Sequence, residues 1–296
     1  MSFQKSIILN ILTKLNIDTN SGDFEISPFI DKEDGSEYAV WKVSCDGNTF
    51  VLKKAKQYEE QIYSAYFCDI TSGAPRIYGK CEYNGNTFLL MELVEGEPIF
   101  RFDKNKVISS IDTLVEIQNR FYCAKESCDF SYSFEKSLIS RKSRGNYLND
   151  KLLEEVYSRY IDLYCTMPRT LCHDDLLPFN ILTSENSATI IDWEIAGILP
   201  YLTSFARLIA HTEDSDDAFF YMSQSDKEFA IEYYFDRFVS KRNVPYTDFR
   251  KDLDLFLFYE YCEWVMLGIK YGDTESQRYK SYLTRAKDLA GKIHGN

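Results

Sequence analysis

The sequence predicts an α+β chain built as two lobes, a small antiparallel sheet carrying a helix and a larger helical lobe. Three observations lead there. The first third is rich in β-branched and aromatic residues broken by turn residues. Past Gly96 the spacing of apolar residues becomes helical. Only two short strand-like pieces, Ile181 to Thr183 and Thr189 to Ile191, interrupt that second pattern. The division is placed at a short connector, giving lobes of residues 1–94 and 95–296.

The elements follow in order. Met1 to Ile17 sets Lys5 and Lys14 among Ile7, Ile8, Leu9, Ile11, Leu12 and Leu15, without a small-residue cleavage site. It reads as an amphipathic helix and not as a secretory leader. Glu37 to Ser44 and Thr49 to Lys53 form a hairpin across Cys45-Asp46-Gly47-Asn48. Tyr58 to Ile70 places apolar residues at 62, 63, 66, 67 and 70, a helical spacing that Thr71 to Pro75 ends. Arg76 to Glu82 and Thr87 to Leu93 make a second hairpin across Tyr83-Asn84-Gly85-Asn86. Lys104 to Tyr122 and Asn146 to Tyr164 are expected as long helices, and the chain from Tyr201 onward as mostly helical.

Composition narrows the classes of function. The 296 residues are 45% hydrophobic and include 22 Tyr and 21 Phe, enough rings for a sizeable core. Acidic residues outnumber basic ones 46 to 34, for a net charge of −12. Such a surface repels nucleic acid and anionic membrane, so neither is expected as a partner. No apolar run is long enough to span a bilayer. Eight cysteines stand at 45, 68, 81, 123, 128, 165, 172 and 262 with no CxxC pair, and there are only three histidines. That argues against structural zinc and for reduced, mostly buried thiols in the cytoplasm.

Cys172 to Asn180 reads CHDDLLPFN, and His173-x-Asp175-Leu176-x-x-x-Asn180 fits the catalytic-loop pattern of kinases. The spacing has a physical logic. The Asp must reach an acceptor hydroxyl and the Asn a metal on the nucleotide phosphates, both from one rigid loop. Ile190-Ile191-Asp192-Trp193-Glu194 follows, with Asp192 where a second metal ligand belongs. Lys53, closing Phe50-Val51-Leu52-Lys53, resembles the strand lysine that contacts α/β-phosphates. Its partner should be an acid on the next helix. Glu59 falls near the centre of the apolar face and Glu60 near its edge, so an inward carboxylate needing a cation favours Glu59, with Glu60 the alternative.

Taken in order, Lys53, Glu59, the segment LLMELVEG (89–96), the His173 loop and the Asp192 strand resemble the aminoglycoside phosphotransferase and choline kinase superfamily. CHDDLLPFNIL followed by IIDWE is especially similar to the bacterial choline kinase branch. The resemblance implies a bilobal protein-kinase-like fold with a small antiparallel-sheet N-lobe. It implies Mg²⁺ held by Asn180 and Asp192, and ATP or GTP as donor. Adenine would meet backbone atoms of Glu92 and Val94, and Lys53 with Glu59 would hold the phosphates. Asp175 would act on the acceptor hydroxyl, with His173 orienting the loop. The acceptor is expected to be a small alcohol, cationic and aminoglycoside-like, with a choline- or ethanolamine-type kinase as the alternative. A non-catalytic nucleotide sensor is a second class, and a hydrolase using the Asp174/Asp175 dyad a third.

The sequence also departs from the family. The phosphate-covering loop, Asp34 to Val40, holds one glycine. No Ala-Pro-Glu segment follows Asp192, unlike in protein kinases. The family's Gly-Asp-Pro…Asp-Leu-Ala stretch is replaced by Gly197 to Arg207, GILPYLTSFAR. For the acceptor pocket there are three candidates: the acidic run Glu213 to Asp217, the mixed segment Tyr259 to Trp264, and Trp193 with Glu194.

Overall fold

The computed structural model describes residues 3–19, 23–30, 35–56, 58–68, 73–125, 133–185 and 187–295. The chain condenses into two units. One comprises Met1–Gly96 with Thr189–Glu194, the other Glu97–Ala188 with Ile195–Asn296.

The first unit is a five-stranded antiparallel sheet with helix α1 (Phe3–Lys14) on it. Its strands are β1 (Glu25–Ile30), β2 (Glu37–Cys45), β3 (Asn48–Lys54), β4 (Ile77–Tyr83) and β5 (Asn86–Glu92), in the order β1-β2-β3-β5-β4. Both hairpins turn in two residues. Asp46 and Gly47 stand at φ 51° and 70°, and Asn84 and Gly85 at 50° and 73°. Positive φ at both positions is what a type I′ turn requires, and Asp-Gly and Asn-Gly tolerate it best. Asp23 secures the first turn by accepting from the Asp46 and Gly47 N–H groups at 3.0 and 2.8 Å. The core joins α1 to the sheet through Ile8, Ile11 and Leu12 against Trp41, Val43, Leu52, Phe88 and Leu90.

The helix expected over Tyr58 to Ile70 is shorter and changes type. It runs as α2 (Glu59–Ile62), then widens into a π turn (Tyr63–Phe67). Its last expected residues, 69–70, and Thr71 and Ser72 lie outside the described residues, as do Asp34 of the expected phosphate loop and Cys128.

The second unit is mainly helical. Its early elements are β6 (Glu97–Pro98), α3 (Lys104–Arg120), α4 (Phe134–Gly145) and α5 (Lys151–Thr166). Each helix starts on a side-chain cap: Asp103, Ser133 and Asp150 accept from backbone N–H groups of the first turn. The single helix expected over Asn146 to Tyr164 is corrected here. Asp150 captures the N–H groups of Leu152 and Leu153, so α5 begins at Lys151. The unforeseen α4 precedes it.

Strand β7 (Arg169–His173) leads into the catalytic-loop motif and pairs antiparallel with β10 (Ala196–Pro200), His173 opposite Ala196. Strand β8 (Ile181–Thr183) pairs with β6, and β9 (Ala188–Ile190), whose last two residues belong to the first unit, leads toward Asp192 of that unit. Helices α6 (Leu202–Ala210), α7 (Gln224–Tyr234), α8 (Tyr246–Tyr271) and α9 (Gln277–Gly295) complete the unit. Every residue of α6 is buried, and Phe205 stacks on Tyr234 of α7 at 4.0 Å between ring centres.

No described helix is long and apolar enough to cross a membrane. Among the described residues seven cysteines form no disulfide, and Cys45, Cys172 and Cys262 are the buried ones, so the expectation of mostly buried thiols does not hold there.

Candidate active site

In the sheet unit, β3 delivers Lys53 and α2 delivers Glu59. Lys53 Nζ lies 2.6 Å from Glu59 Oε1 and 2.5 Å from Asp192 Oδ1. Glu59 is fully buried, while the Asp192 side chain is 34% exposed. The preference for Glu59 over Glu60 therefore matches the geometry, since Glu60 turns instead to Lys80 and Ser64. Two carboxylates share one ammonium. Burial pushes Lys53 down, but Glu59 and Asp192 outweigh it and hold its pKa above the ordinary lysine value. Burial raises Glu59, and the Asp192 charge adds to that against the opposing pull of Lys53.

Asp192 stands at φ 63°, in the left-handed region a non-glycine residue seldom occupies. Its surroundings fix that turn. Ile190 N–H donates to Gly73 O at 2.9 Å, Trp193 Nε1 donates to Ile190 O at 2.8 Å, and the buried Trp193 ring lies 4.6 Å from that of Phe67. Trp193 thus packs, and Glu194 pairs with Lys56 through Oε1 at 2.7 Å. Ligand oxygens of Glu59, Asp192 and Glu194 lie within 4.8 Å of one another. This all-oxygen set carries three negative charges against Lys53 and Lys56, and both features suit a hard divalent cation such as Mg²⁺. Of the three carboxylates, Asp192 is the most exposed.

At the end of β5, Glu92 N–H donates to Arg76 O at 2.8 Å, and Glu92 Oε2 accepts from Arg76 N–H at 3.1 Å. The Val94 backbone makes no hydrogen bond among the described residues.

In the helical unit, the loop after β7 carries Asp174, Asp175 and Asn180. The Asp175 N–H donates to His173 Nδ1 at 3.2 Å, and Asn180 Nδ2 donates to Asp175 O at 2.8 Å. Asn180 thereby closes the loop on itself and keeps its amide oxygen, the atom a metal would take. His173 is buried, and its backbone is clamped by Ser204 of α6, whose hydroxyl accepts from the N–H at 2.9 Å and donates to the carbonyl at 3.2 Å. This supports His173 as an orienting residue.

Two arginines that sequence reasoning missed hold the loop's acids. Arg141 of α4 binds Asp174 with both Nη atoms, at 3.0 and 2.6 Å, and lies over the rings of Tyr164 and Tyr259 at 4.6 and 4.7 Å. Asp174 is thereby committed, which removes the Asp174/Asp175 dyad. Arg207 of α6 donates from Nη2 to Asp175 Oδ1 at 2.8 Å, and from Nη1 to Glu260 and Glu263 of α8 at 2.8 and 2.5 Å. Glu263 also pairs with Arg144. The acids of the Tyr259 to Trp264 segment are thus neutralised within the protein. Burial raises the Glu260 carboxyl, but Arg207 outweighs it and holds the group below its usual range. Burial lowers His211, which faces Glu260 and Tyr282, and so favours its neutral form. In the acidic run, Glu213 pairs with Arg285 and Asp214 accepts from Gln224 N–H, while Asp216 and Asp217 are exposed and form no ion pair among the described residues.

A small antiparallel sheet bearing a buried Lys–Glu pair, and a helical unit bearing an H-x-D-x-x-x-x-N loop, define a kinase-like protein. Comparison with known families agrees: residues 32–234 match the profile of the phosphotransferase enzyme family, to which the chain belongs. No curated protein matches by sequence. Among solved structures, choline kinase LicA from Streptococcus pneumoniae is similar at TM-score 0.62 and 15% identity, covering 98% of this chain and 100% of that one. The GDP complex of aminoglycoside 2′-phosphotransferase IIIa is similar at TM-score 0.62 and 14% identity, covering 99% and 98%. An aminoglycoside phosphotransferase from Alicyclobacillus acidocaldarius is similar at TM-score 0.56 and 12% identity, covering 97% and 95%. At these identities the likeness concerns the fold.

Proposed function

We propose that this protein is a Mg²⁺-dependent small-molecule kinase that moves the γ-phosphate of ATP or GTP to an alcohol. The observation that carries the reading is the buried Lys53–Glu59 pair beside Asp192, in a chain of the phosphotransferase enzyme family. Residues 1–94 form the nucleotide-binding lobe and residues 95–296 the catalytic and substrate-binding lobe. Lys53, fixed by Glu59, grips the α/β-phosphates, and backbone atoms of Glu92 and Val94 receive the adenine. Asn180 and Asp192 hold the metal. Mg²⁺ held there would supply charge neutralisation at the transferred phosphoryl group.

Asp175 orients the acceptor hydroxyl and accepts its proton on Oδ2. The hydroxyl oxygen forms a bond to the γ-phosphorus, the bond from that phosphorus to the β–γ bridging oxygen breaks, and the nucleoside diphosphate leaves with the electron pair. Positioning and fixed charge supply most of the rate. A cationic, aminoglycoside-like alcohol fits the net charge of −12 and the open carboxylates of Asp216 and Asp217. Choline and ethanolamine are the alternative acceptors, and the cytoplasm, where free thiols stay reduced, is the expected compartment.

The test is nucleotide consumption with Mg²⁺, offering ATP and GTP against choline, ethanolamine, kanamycin and simple sugars, with Asp175→Asn as control. Acceptor-dependent turnover that the variant loses supports the reading. Turnover that survives in the variant overturns the assignment of Asp175. Nucleotide binding by calorimetry without turnover on any acceptor points to a sensor.

A further inference from the structure

We infer that Arg207 is a positioning residue for the transfer step, holding the Asp175 carboxylate in the orientation that presents Oδ2 to the acceptor; this rests on the role proposed for Asp175. Arg207 is nine-tenths buried on α6, and its two Nη atoms divide their work. Nη1 faces Glu260 and Glu263 of α8, and Glu263 has Arg144 as a second cation. Nη2 points away from them to Asp175 Oδ1, on a side chain that is 35% exposed. A planar fork with fixed geometry can serve both sides at once, which a lysine could not.

The rest of Asp175 leaves its side chain untethered. Its N–H goes to His173 and its carbonyl receives Asn180 and the Leu177 N–H, so backbone bonds set the loop but not the carboxylate rotamer. Among the described residues, Arg207 is the one side chain that binds the Asp175 carboxylate. It takes Oδ1 and leaves Oδ2 to the acceptor. Arg207 is in turn immobilised by α8, whose Glu260 also faces His211 at 3.4 Å. The stretch in which the sequence departs from its family, GILPYLTSFAR, therefore supplies both supports of the loop: Ser204 on the His173 backbone and Arg207 on the Asp175 side chain.

The test uses Glu260→Gln as reference background, so that removing the guanidinium does not strand a buried acid; Glu263 keeps Arg144. Turnover of Mg²⁺-ATP and Mg²⁺-GTP is measured with choline, ethanolamine and kanamycin, and with water as acceptor, and melting curves check folding. Relative to E260Q, R207M/E260Q should lose about 10- to 100-fold in kcat, the cost of misplacing a working group by about an ångström. Its KM for nucleotide should change by less than about threefold, because uniform binding is untouched. On a D175N/E260Q background the same R207M change should alter kcat by less than about threefold, since groups that act as a unit are not additive. Undiminished kcat in R207M/E260Q, or an equal loss with Asp175 already replaced, overturns the proposal and leaves Asp175 in place. Retention of full turnover by D175N/E260Q overturns the role of Asp175 itself, and the two failures are thereby distinct.

Discussion

Arg141 and Asp174 meet in a two-pronged ion pair, Nη1 to Oδ2 at 3.0 Å and Nη2 to Oδ1 at 2.6 Å, with both side chains buried. The guanidinium also donates from Nε to Tyr160 Oη at 2.9 Å, and contacts Ser137. The pair ties α4 to the loop that carries Asp175. Breaking it from one side strands a buried charge. Arg141→Met should therefore cost about 3–5 kcal/mol in urea unfolding, and R141M/D174N should recover much of that loss. A single variant as stable as the wild type would contradict this account.

Ser204 grips the same loop from α6 through both polar groups of the His173 backbone. Ser204→Ala removes one acceptor and one donor from a buried site and should cost about 1–3 kcal/mol. Because the bonds lost are to the loop that carries Asp175, and Lys53 with Glu59 is untouched, turnover should fall more than the affinity for metal-free nucleotide. Parallel melting and calorimetric measurements check both halves, and an unchanged melting temperature would refute the first.

Much of the sheet unit was legible in the sequence because its signals are local. Asp46-Gly47 and Asn84-Gly85 announce their turns by residue type alone, and Glu59 follows from helical phase and the cost of a buried unpaired charge. Three of the residues that mark the apolar face, Tyr63, Tyr66 and Phe67, lie in the π turn, where the spacing of 3.6 residues per turn lapses, yet they are buried on the same side as Glu59 and Ile62. The helical unit hides its supports. Arg141 and Arg207 lie 33 and 32 residues from the acids they bind, and nothing in the sequence pairs them. Strands β7 and β10 are five-residue pieces whose partners are set by tertiary contact. An arginine inside the apolar run TSFARLIA was the available signal for Arg207, since such a residue must find acids in the core.

Asp252 on α8 offers a pH test away from the site. Burial first, then the neighbouring Asp248, push its carboxyl up from 3.8 to about 6. A carboxylate raised in the folded state favours folding when protonated, so its contribution is full below pH 3.8 and is lost as pH rises through 6. Asp252→Asn should then stabilise the protein at pH 7 by about 1–2 kcal/mol, after allowance for partial exposure. The advantage should shrink through the interval from 6 to 3.8 and vanish below it. Urea unfolding of both proteins at pH 7, 5 and 3.5 reads this directly, and a difference independent of pH would refute it.

Lys53 and Glu59 are a pair whose two halves should not cost the same. Glu59 is wholly enclosed, and Lys53 is the cation it meets, whereas Lys53 keeps Asp192 when Glu59 is neutralised. Lys53→Met leaves a buried carboxylate unpaired and should destabilise the protein by about 3–5 kcal/mol. Glu59→Gln removes the surplus negative charge and keeps a polar group of similar shape, so it should cost about 1–2 kcal/mol. Glu60→Gln breaks only the more exposed contact with Lys80 and should cost less than about 1 kcal/mol. The order Lys53 above Glu59 above Glu60 in loss of urea-unfolding free energy is the expected result. If Glu60→Gln proved the costliest of the three, the carboxylate at the edge of the helix, and not the one at its centre, would be the partner that the lysine needs.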